Sequence, residues 1–318
     1  MLKYLIIPLA NNAVSFCHYS QLEDDGIISD ENLKEAVDFA LKENLSVQFI
    51  YPRQILSENK KSLIDNVDHI DIISCNSEDT DLLAKAEVIV FDNWEDFKEF
   101  PLSKDSTYIV RTDIKSLSKN TTILCDALKT ANRINVIFRD DVKFDESSLK
   151  EYHIVLQNLI SVIITEYKKH HFVQLNILTD RLFLTEMNNC NAGNETLTIA
   201  PNGKFYICPA FYNAGLPYIG DLHHELVIKN EQLYKISHAP ICRICDAWQC
   251  KRCIWLNKKY THEVNTPSHE QCVVSHIERN ASRKLLSELQ EIGFMPDYVI
   301  TEIDYLDPFE TIKQKKLQ

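Results

Sequence analysis

The sequence predicts an α/β protein: a parallel sheet covered by helices, open or curled into a partial barrel, followed by a small cysteine-rich metal-binding domain. Three observations carry this. Short β-rich runs alternate with helical segments over the first 170 residues, and strands spaced by helices pair in parallel. Near residue 186 the composition turns to Cys, His, Gly and Asn. Seven of the ten cysteines then fall between positions 190 and 272.

The elements follow in order. Tyr4–Leu9 is an apolar first strand. Asp30 is placed to cap a helix carrying Leu33, Ala36, Val37 and Ala40 at helical spacing. Ser46–Tyr51 is the second strand, stopped by Pro52, and Ile70–Ser74, Val88–Phe91 and Tyr108–Val110 are further strands. Thr122–Ala131 is expected as a helix and Asn135–Phe138 as a strand. A long helix is expected from Ser147 to about Lys169, with Leu149, Val155, Leu156, Leu159, Ile160 and Ile163 on its apolar side. Two β-rich runs, Thr196–Ala200 and Lys204–Ile207, flank Pro201-Asn202-Gly203 and signal a hairpin. A last helix spans Val273–Glu291, and Tyr298–Thr301 is a final strand candidate. The expected division is 1–185, 186–280, and a helix end and tail over 281–318.

Composition excludes several functions. The net charge of −12 argues against nucleic acid as a partner. There are six glycines, and none lies between Gly26 and Gly193. A phosphate cradle needs glycines where backbone meets anion, so the first half holds neither a P-loop nor a dinucleotide fingerprint. No apolar run approaches the ~18 residues of a membrane span. A chain of 318 residues is far longer than a secreted disulfide scaffold. The cysteines therefore read as thiols of a reducing, cytoplasmic compartment.

The cysteine pattern is Cys190-x12-Gly203-x4-Cys208, then Cys242-x2-Cys245-x4-Cys250-x2-Cys253, then Cys272. Thiolates two residues apart can face one metal across a tight turn. Zinc ribbons set ~15–20 residues between their two C-x2-C units. The compact run here is closer to ferredoxin logic, in which three cysteines serve one cluster and the fourth another. Seven thiols exceed the four one zinc can use, so two sites are implied. Zinc stays open as an alternative occupant. The hairpin brings Cys208 back toward Cys190.

This pattern resembles the SPASM domain, the auxiliary iron–sulfur module of radical SAM peptide-modifying enzymes. Its first element, C-x9–15-G-x4-C, is matched, and its C-x2-C-x5-C-x3-C run is shortened by one residue in each of the two later gaps. Ile199-Ala-Pro201-Asn-Gly203-Lys-Phe-Tyr-Ile-Cys208 is similar to the family's hairpin phrase, and Ile219-Gly220-Asp221-Leu222 to its Gly-Asn/Asp-Ile/Leu segment. The resemblance assigns Cys190, Cys208 and Cys253 to a first auxiliary site. It assigns Cys242, Cys245, Cys250 and Cys272 to a second, and implies a 4Fe–4S cluster at each.

Radical SAM enzymes hold their catalytic cluster through C-x3-C-x2-C after the first strand of a partial (β/α)6 barrel. Here the equivalent stretch, Asn11-Asn-Ala-Val-Ser-Phe-Cys17-His18-Tyr19, keeps only a Cys-x-Tyr remnant. The family's Gly-Gly-Glu-Pro run after strand two is replaced by Phe49-Ile-Tyr-Pro52. The front half thus looks like a degenerate radical SAM-like domain that needs no S-adenosylmethionine (SAM). The chain is most similar to the CXXX-repeat peptide maturase group. That likeness implies a Cys-rich precursor peptide and a partner radical SAM enzyme, with no membrane and no nucleic acid.

Other residues read more plainly. Neighbours on a strand end point to opposite faces, so Cys17 and His18 read as a fold remnant rather than a nucleophile and its base. Cys75 and Cys125 read as core thiols, and His170-His171 and His223-His224 as solvated pairs. His269 and His276 flank Cys272 as candidate hydrogen-bond donors behind the ligands. Residues 229–260 carry seven Lys/Arg against two Asp/Glu, with Trp248, Trp255 and Tyr260 among them. Such a patch suits an acidic peptide, a partner enzyme, or the negative charge of thiolate clusters.

Overall fold

The computed structural model describes residues 2–140, 144–183, 190–245, 247 and 253–299. The chain runs β1 (Tyr4–Pro8), α1 (Asp30–Glu43), β2 (Ser46–Ile50), α2 (Glu58–Ile64), β3 (His69–Ser74), α3 (Thr80–Leu83) and β4 (Val88–Phe91). It continues through α4 (Trp94–Glu99), β5 (Thr107–Thr112), α5 (Ile114–Lys119), α6 (Thr121–Ala127), β6 (Arg133–Phe138) and α7 (Glu146–Lys168). Then come β7 (Gln174–Leu175), α8 (Asn176–Phe183), β8 (Thr196–Ile199), β9 (Lys204–Tyr206) and α9 (Pro209–Asn213). β10 (Gly220–Asp221), α10 (Ile254–Thr261) and α11 (His269–Glu291) complete it. Two compact units result. One comprises Met1–Asp113, Thr130–Val142 and Cys190–Glu231, the other Ile114–Lys129, Lys143–Asn189 and Gln232–Gln318.

The first unit is built on one sheet, in the order β10-β9-β8-β1-β2-β3-β4-β5-β6. From β8 through β1 to β6 every pairing is parallel. β8, β9 and β10 pair antiparallel, as the Asn-Gly turn requires. Strands β1 to β6 lie in chain order, so each crossover steps the same way and puts its helix on the same face. Alternation then divides the side chains. Leu5, Ile7, Phe49 and Phe91 are fully buried toward the helices, where Phe91 meets Phe97 and Phe100 edge-on at 5.0 and 5.2 Å. The opposite face contributes one apolar residue per strand to a second core: Ile6, Ile50, Ile72, Val90, Ile109 and Ile137.

The expected α/β class with a parallel sheet is what the chain forms, and the two ends of the sheet do not pair with each other among the described residues. The first helix differs from expectation at its cap. Ser29, not Asp30, is extended and accepts the amide of Asn32, at 3.1 Å. Asp30 enters the first turn, where its charge suits the positive helix end, and its carboxylate takes Lys60 and Asn59. The helix expected over Thr122–Ala131 is α6, which stops at Ala127, and α5 precedes it. The tail strand expected over 298–301 extends beyond the described residues.

The second unit packs α11 against α7 and α8, with α5 and α6 also on α7. Both long helices start with capping boxes, Asp145 with Ser148 and Ser268 with Gln271. Glu278 of α11 ties the three together. It accepts from the Tyr152 hydroxyl at 2.8 Å and from Arg181 at 3.1 Å. Ser282 donates to the Leu178 carbonyl at 2.7 Å. Among the described residues no helix is long and apolar enough to cross a membrane.

Candidate functional site

Parallel α/β sheets bind ligands at the carboxyl ends of their strands. Here the loop after β1, residues 11–20, covers that end. Ala13 and Val14 join the inner core, with Phe16 packed against it. Arg111, at the end of β5 and only 4 % exposed, holds the loop's backbone. It donates to the carbonyls of Cys17 at 2.9 Å and Tyr19 at 2.6 Å, and to Asp92 Oδ1 at 2.6 Å. Ser15 Oγ donates to the Tyr19 carbonyl at 2.5 Å. His18 Nδ1 donates to the Phe138 carbonyl at 2.5 Å, and the Asp140 amide to the His18 carbonyl at 2.8 Å. From the other side, Tyr212 bonds Asn11, and Asn213 Nδ2 donates to the Ser20 carbonyl at 3.1 Å.

Cys190 and Cys208 belong to the same unit as this loop. Cys190 is exposed and precedes β8; Cys208 is partly covered and stands at the head of α9. Burial pushes the Cys208 thiol well above its ordinary range, and nearby Cys190 and Cys17 push it further. Tyr19 is raised the same way, by burial first and then by Cys17. Cys17 therefore stands within electrostatic reach of both. Sequence reading missed this, and its only signal was the Cys-x-Tyr remnant.

Cys242, Cys245, Cys253 and Cys272 belong to the second unit, while Cys250 and Trp248 lie outside the described residues. Cys242 is buried at the start of a 3₁₀ turn, Cys242–Ile244, and Cys245 follows it. Cys253 stands at the start of α10, a helix the sequence did not signal, and Cys272 lies in the first turn of α11. The Cys245 sulfur receives the Ala247 amide at 3.3 Å and meets His276 Nε2 at 3.6 Å. A thiol with an amide donor and an imidazole beside it suits a thiophilic metal. Among the described residues, no three His, Cys, Asp or Glu side chains stand close enough to enclose an ion.

The remaining candidates have local partners. Burial, with Asp96 and Asp92, pushes the Cys75 thiol up to about 12, so it is no nucleophile at neutral pH. Burial likewise raises Cys125. His224 pairs with Asp221 at 2.7 Å and His223 with Glu35 at 3.5 Å. His171 pairs with Glu166 at 3.2 Å.

No protein-family model matches the sequence, and no curated protein matches it. Solved structures match in fold. Native anSMEcpe with bound AdoMet and Cp18Cys peptide aligns with a TM-score of 0.60 at 14 % identity, over 92 % of this chain and 100 % of that one. Hexahistidine-tagged anSMEcpe with bound AdoMet aligns at 0.59 and 14 % identity, over 90 % and 98 %. The chain shares the fold of anSMEcpe. Streptococcus suis SuiB bound to S-adenosylmethionine aligns at 0.49 and 13 % identity, over 85 % and 77 %. In this parallel sheet the loop after β1 occupies the ligand end. Here that loop offers one thiol, Cys17, amid apolar side chains and its own hydrogen bonds. Those residues do not fit a three-thiolate cluster site.

Proposed function

We propose that this chain is an accessory protein in the modification of a ribosomally made peptide. It binds a precursor peptide, Cys-rich in this reading, and leaves SAM cleavage to a partner radical SAM enzyme. Its cysteines hold two auxiliary centres, Cys190, Cys208 and Cys253 at the first and Cys242, Cys245, Cys250 and Cys272 at the second. Each centre is a 4Fe–4S cluster in this reading, and the protein is cytoplasmic. When bound, the clusters supply electron transfer or hold a substrate group. The observation that carries the reading is the β1 loop, packed by Ala13 and Val14 and strapped by Arg111 where sulfonium cleavage needs three thiolates. Peptide as the ligand class is supported by the Cp18Cys peptide bound to anSMEcpe.

The experiment is anaerobic purification, iron and zinc analysis, electron paramagnetic resonance, and a SAM assay with reductant. Iron with a cluster signal and no 5′-deoxyadenosine is the expected result. Formation of 5′-deoxyadenosine by the isolated chain overturns the accessory role. A second reading, a zinc-stabilised peptide- or protein-binding scaffold without redox activity, is favoured by the Cys245–His276 contact. It expects zinc in place of iron and folding in air.

A further inference from the structure

Two contacts to α11 gather those described parts of the cationic run 229–260 that lie in the second unit. Cys245 Sγ meets His276 Nε2 at 3.6 Å, and Asn257 Oδ1 of α10 accepts from Gln271 Nε2 at 3.3 Å. Both partners belong to the first two turns of α11. Asn265 adds a third tie, donating to the His238 carbonyl at 3.1 Å. The turn Cys242–Ile244 and α10 are therefore neighbours at one end of one helix. Between 232 and 262 the described residues include Lys235, Arg243, Lys258 and Lys259 and no Asp or Glu. Arg243 and Lys259 are exposed, as are Ile244 at 50 % and Tyr260 at 47 %. Lys259 Nζ stands 5.8 Å from the centre of the Tyr260 ring and 6.0 Å from that of Trp255. Lys258 Nζ donates to the His262 carbonyl at 3.1 Å, a neutral acceptor that leaves its charge uncancelled. On a chain of net charge −12 this positive, ring-bearing ridge is a local exception.

We propose that this ridge docks an acidic segment of the precursor peptide, one with apolar or aromatic residues among its carboxylates. This rests on the reading that the chain binds such a peptide, and it names the surface and the chemistry that hold it. Charge complementarity sets the sign: carboxylates meet Arg243, Lys258 and Lys259, and apolar side chains meet Ile244 and Tyr260. Size favours a peptide over a folded enzyme. α10 has eight residues, about 12 Å of helix, whereas each side of a standard protein interface covers about 800 Å². Offsetting the charge of buried thiolates is a poorer use for these cations, because Arg243 and Lys259 are exposed to solvent while Cys242 is buried.

Fluorescence anisotropy with the anaerobically purified full chain tests this. The probes are two labelled peptides of equal length, one alternating Glu with Leu and Tyr, the other alternating Lys with the same residues. The Glu peptide is expected to bind and the Lys peptide not. Binding is expected to weaken steeply from about 0.1 to 1 M salt, as the screening length falls from about 10 to 3 Å. Lys258→Glu with Lys259→Glu is expected to weaken it more than about tenfold, and Arg243→Glu, on the separate turn, about three- to tenfold. Lys42→Glu with Lys98→Glu makes the same change in net charge at exposed positions of α1 and α4, and is expected to shift binding less than about twofold. Equal losses in the two double variants show attraction to net charge alone and overturn the docking site. Binding indifferent to both the α10 pair and Arg243→Glu also overturns it and leaves the peptide reading standing. A folded acidic protein that binds through the α10 pair where the Glu peptide does not bind assigns the ridge to a protein partner, which overturns it too. An uncharged Cys-rich peptide separates the two readings. If it binds where the Glu peptide does not, only the docking site falls; if neither binds, both fall.

Discussion

The β1 loop and the cysteine turns of the second unit are both places where the radical SAM resemblance expects iron, and they are held in opposite ways. Residues 11–20 are ordered by the chain's own groups: apolar side chains in the inner core and a buried guanidinium on two carbonyls. The segment 236–245 has short backbone bonds, Ala239 to Ile236 at 2.9 Å and Cys245 to Cys242 at 3.3 Å, and leaves Ile244 50 % exposed. Ordering a residue costs about 1–2 kcal/mol of backbone entropy. Burial offsets that in the loop, and little burial is available to the turns. On the proposed reading, a metal centre that binds only the folded turn supplies the difference. The loop is thus held as core, whereas on the proposed reading the turns are held through their thiols.

The contrast can be broken, first, by removing metal. Structural zinc contributes about 10–16 kcal/mol to small sites. On the reading that these turns hold metal, chelation is expected to abolish amide protection over 236–245 and 253–262 in hydrogen exchange while β1 and β6 stay protected. Equal loss in both regions, or in neither, contradicts the comparison. Next in size is Arg111→Ala, which takes one donor from each of the Cys17 and Tyr19 carbonyls and releases Asp92, and is expected to cost about 2–4 kcal/mol. The urea midpoint reads it, and a change under about 1 kcal/mol shows that the strap is not what orders the loop. Ile109→Ala opens the inner core beneath the same loop and is expected to cost about 2–4 kcal/mol by the same measurement. Gly203 has φ +73°, and a Cβ there would stand 2.9 Å from Asn32 Oδ1. Gly203→Ala should cost about 1–2 kcal/mol and weaken the Asn32–Pro201 hydrogen bond that docks the hairpin on α1. Smallest is Ser268→Ala, about 1 kcal/mol in thermal unfolding, from the cap of the helix that carries Cys272 and His276.

Legibility followed the length of each pattern. The Val88–Phe91 strand was readable as an unbroken apolar β-branched run, the long α7 by its period-3.6 stripe, and the hairpin by Asn-Gly between two β-rich runs. α2, α3, α4 and α5 have four to seven residues and bury none to two side chains each, too little for a helical stripe to show. α10 buries only Ile254 and Asn257, so it was missed for the same reason. The cysteine set was visible as spacing, but the strap on the β1 loop was not. Arg111 reads as an ordinary strand residue, and its partners Cys17, Tyr19 and Asp92 are distant in sequence. His276 was legible as a flanking histidine, while its approach to Cys245 depends on how α11 meets a turn that carries no periodic signal.

β1 lies between β2 and β8, so one of its edges waits for Thr196–Ile199. At about 5–20 residues per second, translation delivers that partner roughly 10–40 s after β1. Throughout that interval the nascent chain carries Leu5, Ile6 and Ile7 on an unpaired strand edge, a natural substrate for a ribosome-associated chaperone and a risk for aggregation. Truncation before Thr196 would leave β1 as a bare edge of the sheet. The stretch that supplies Cys190 and Cys208 thus also covers the open edge of the first strand.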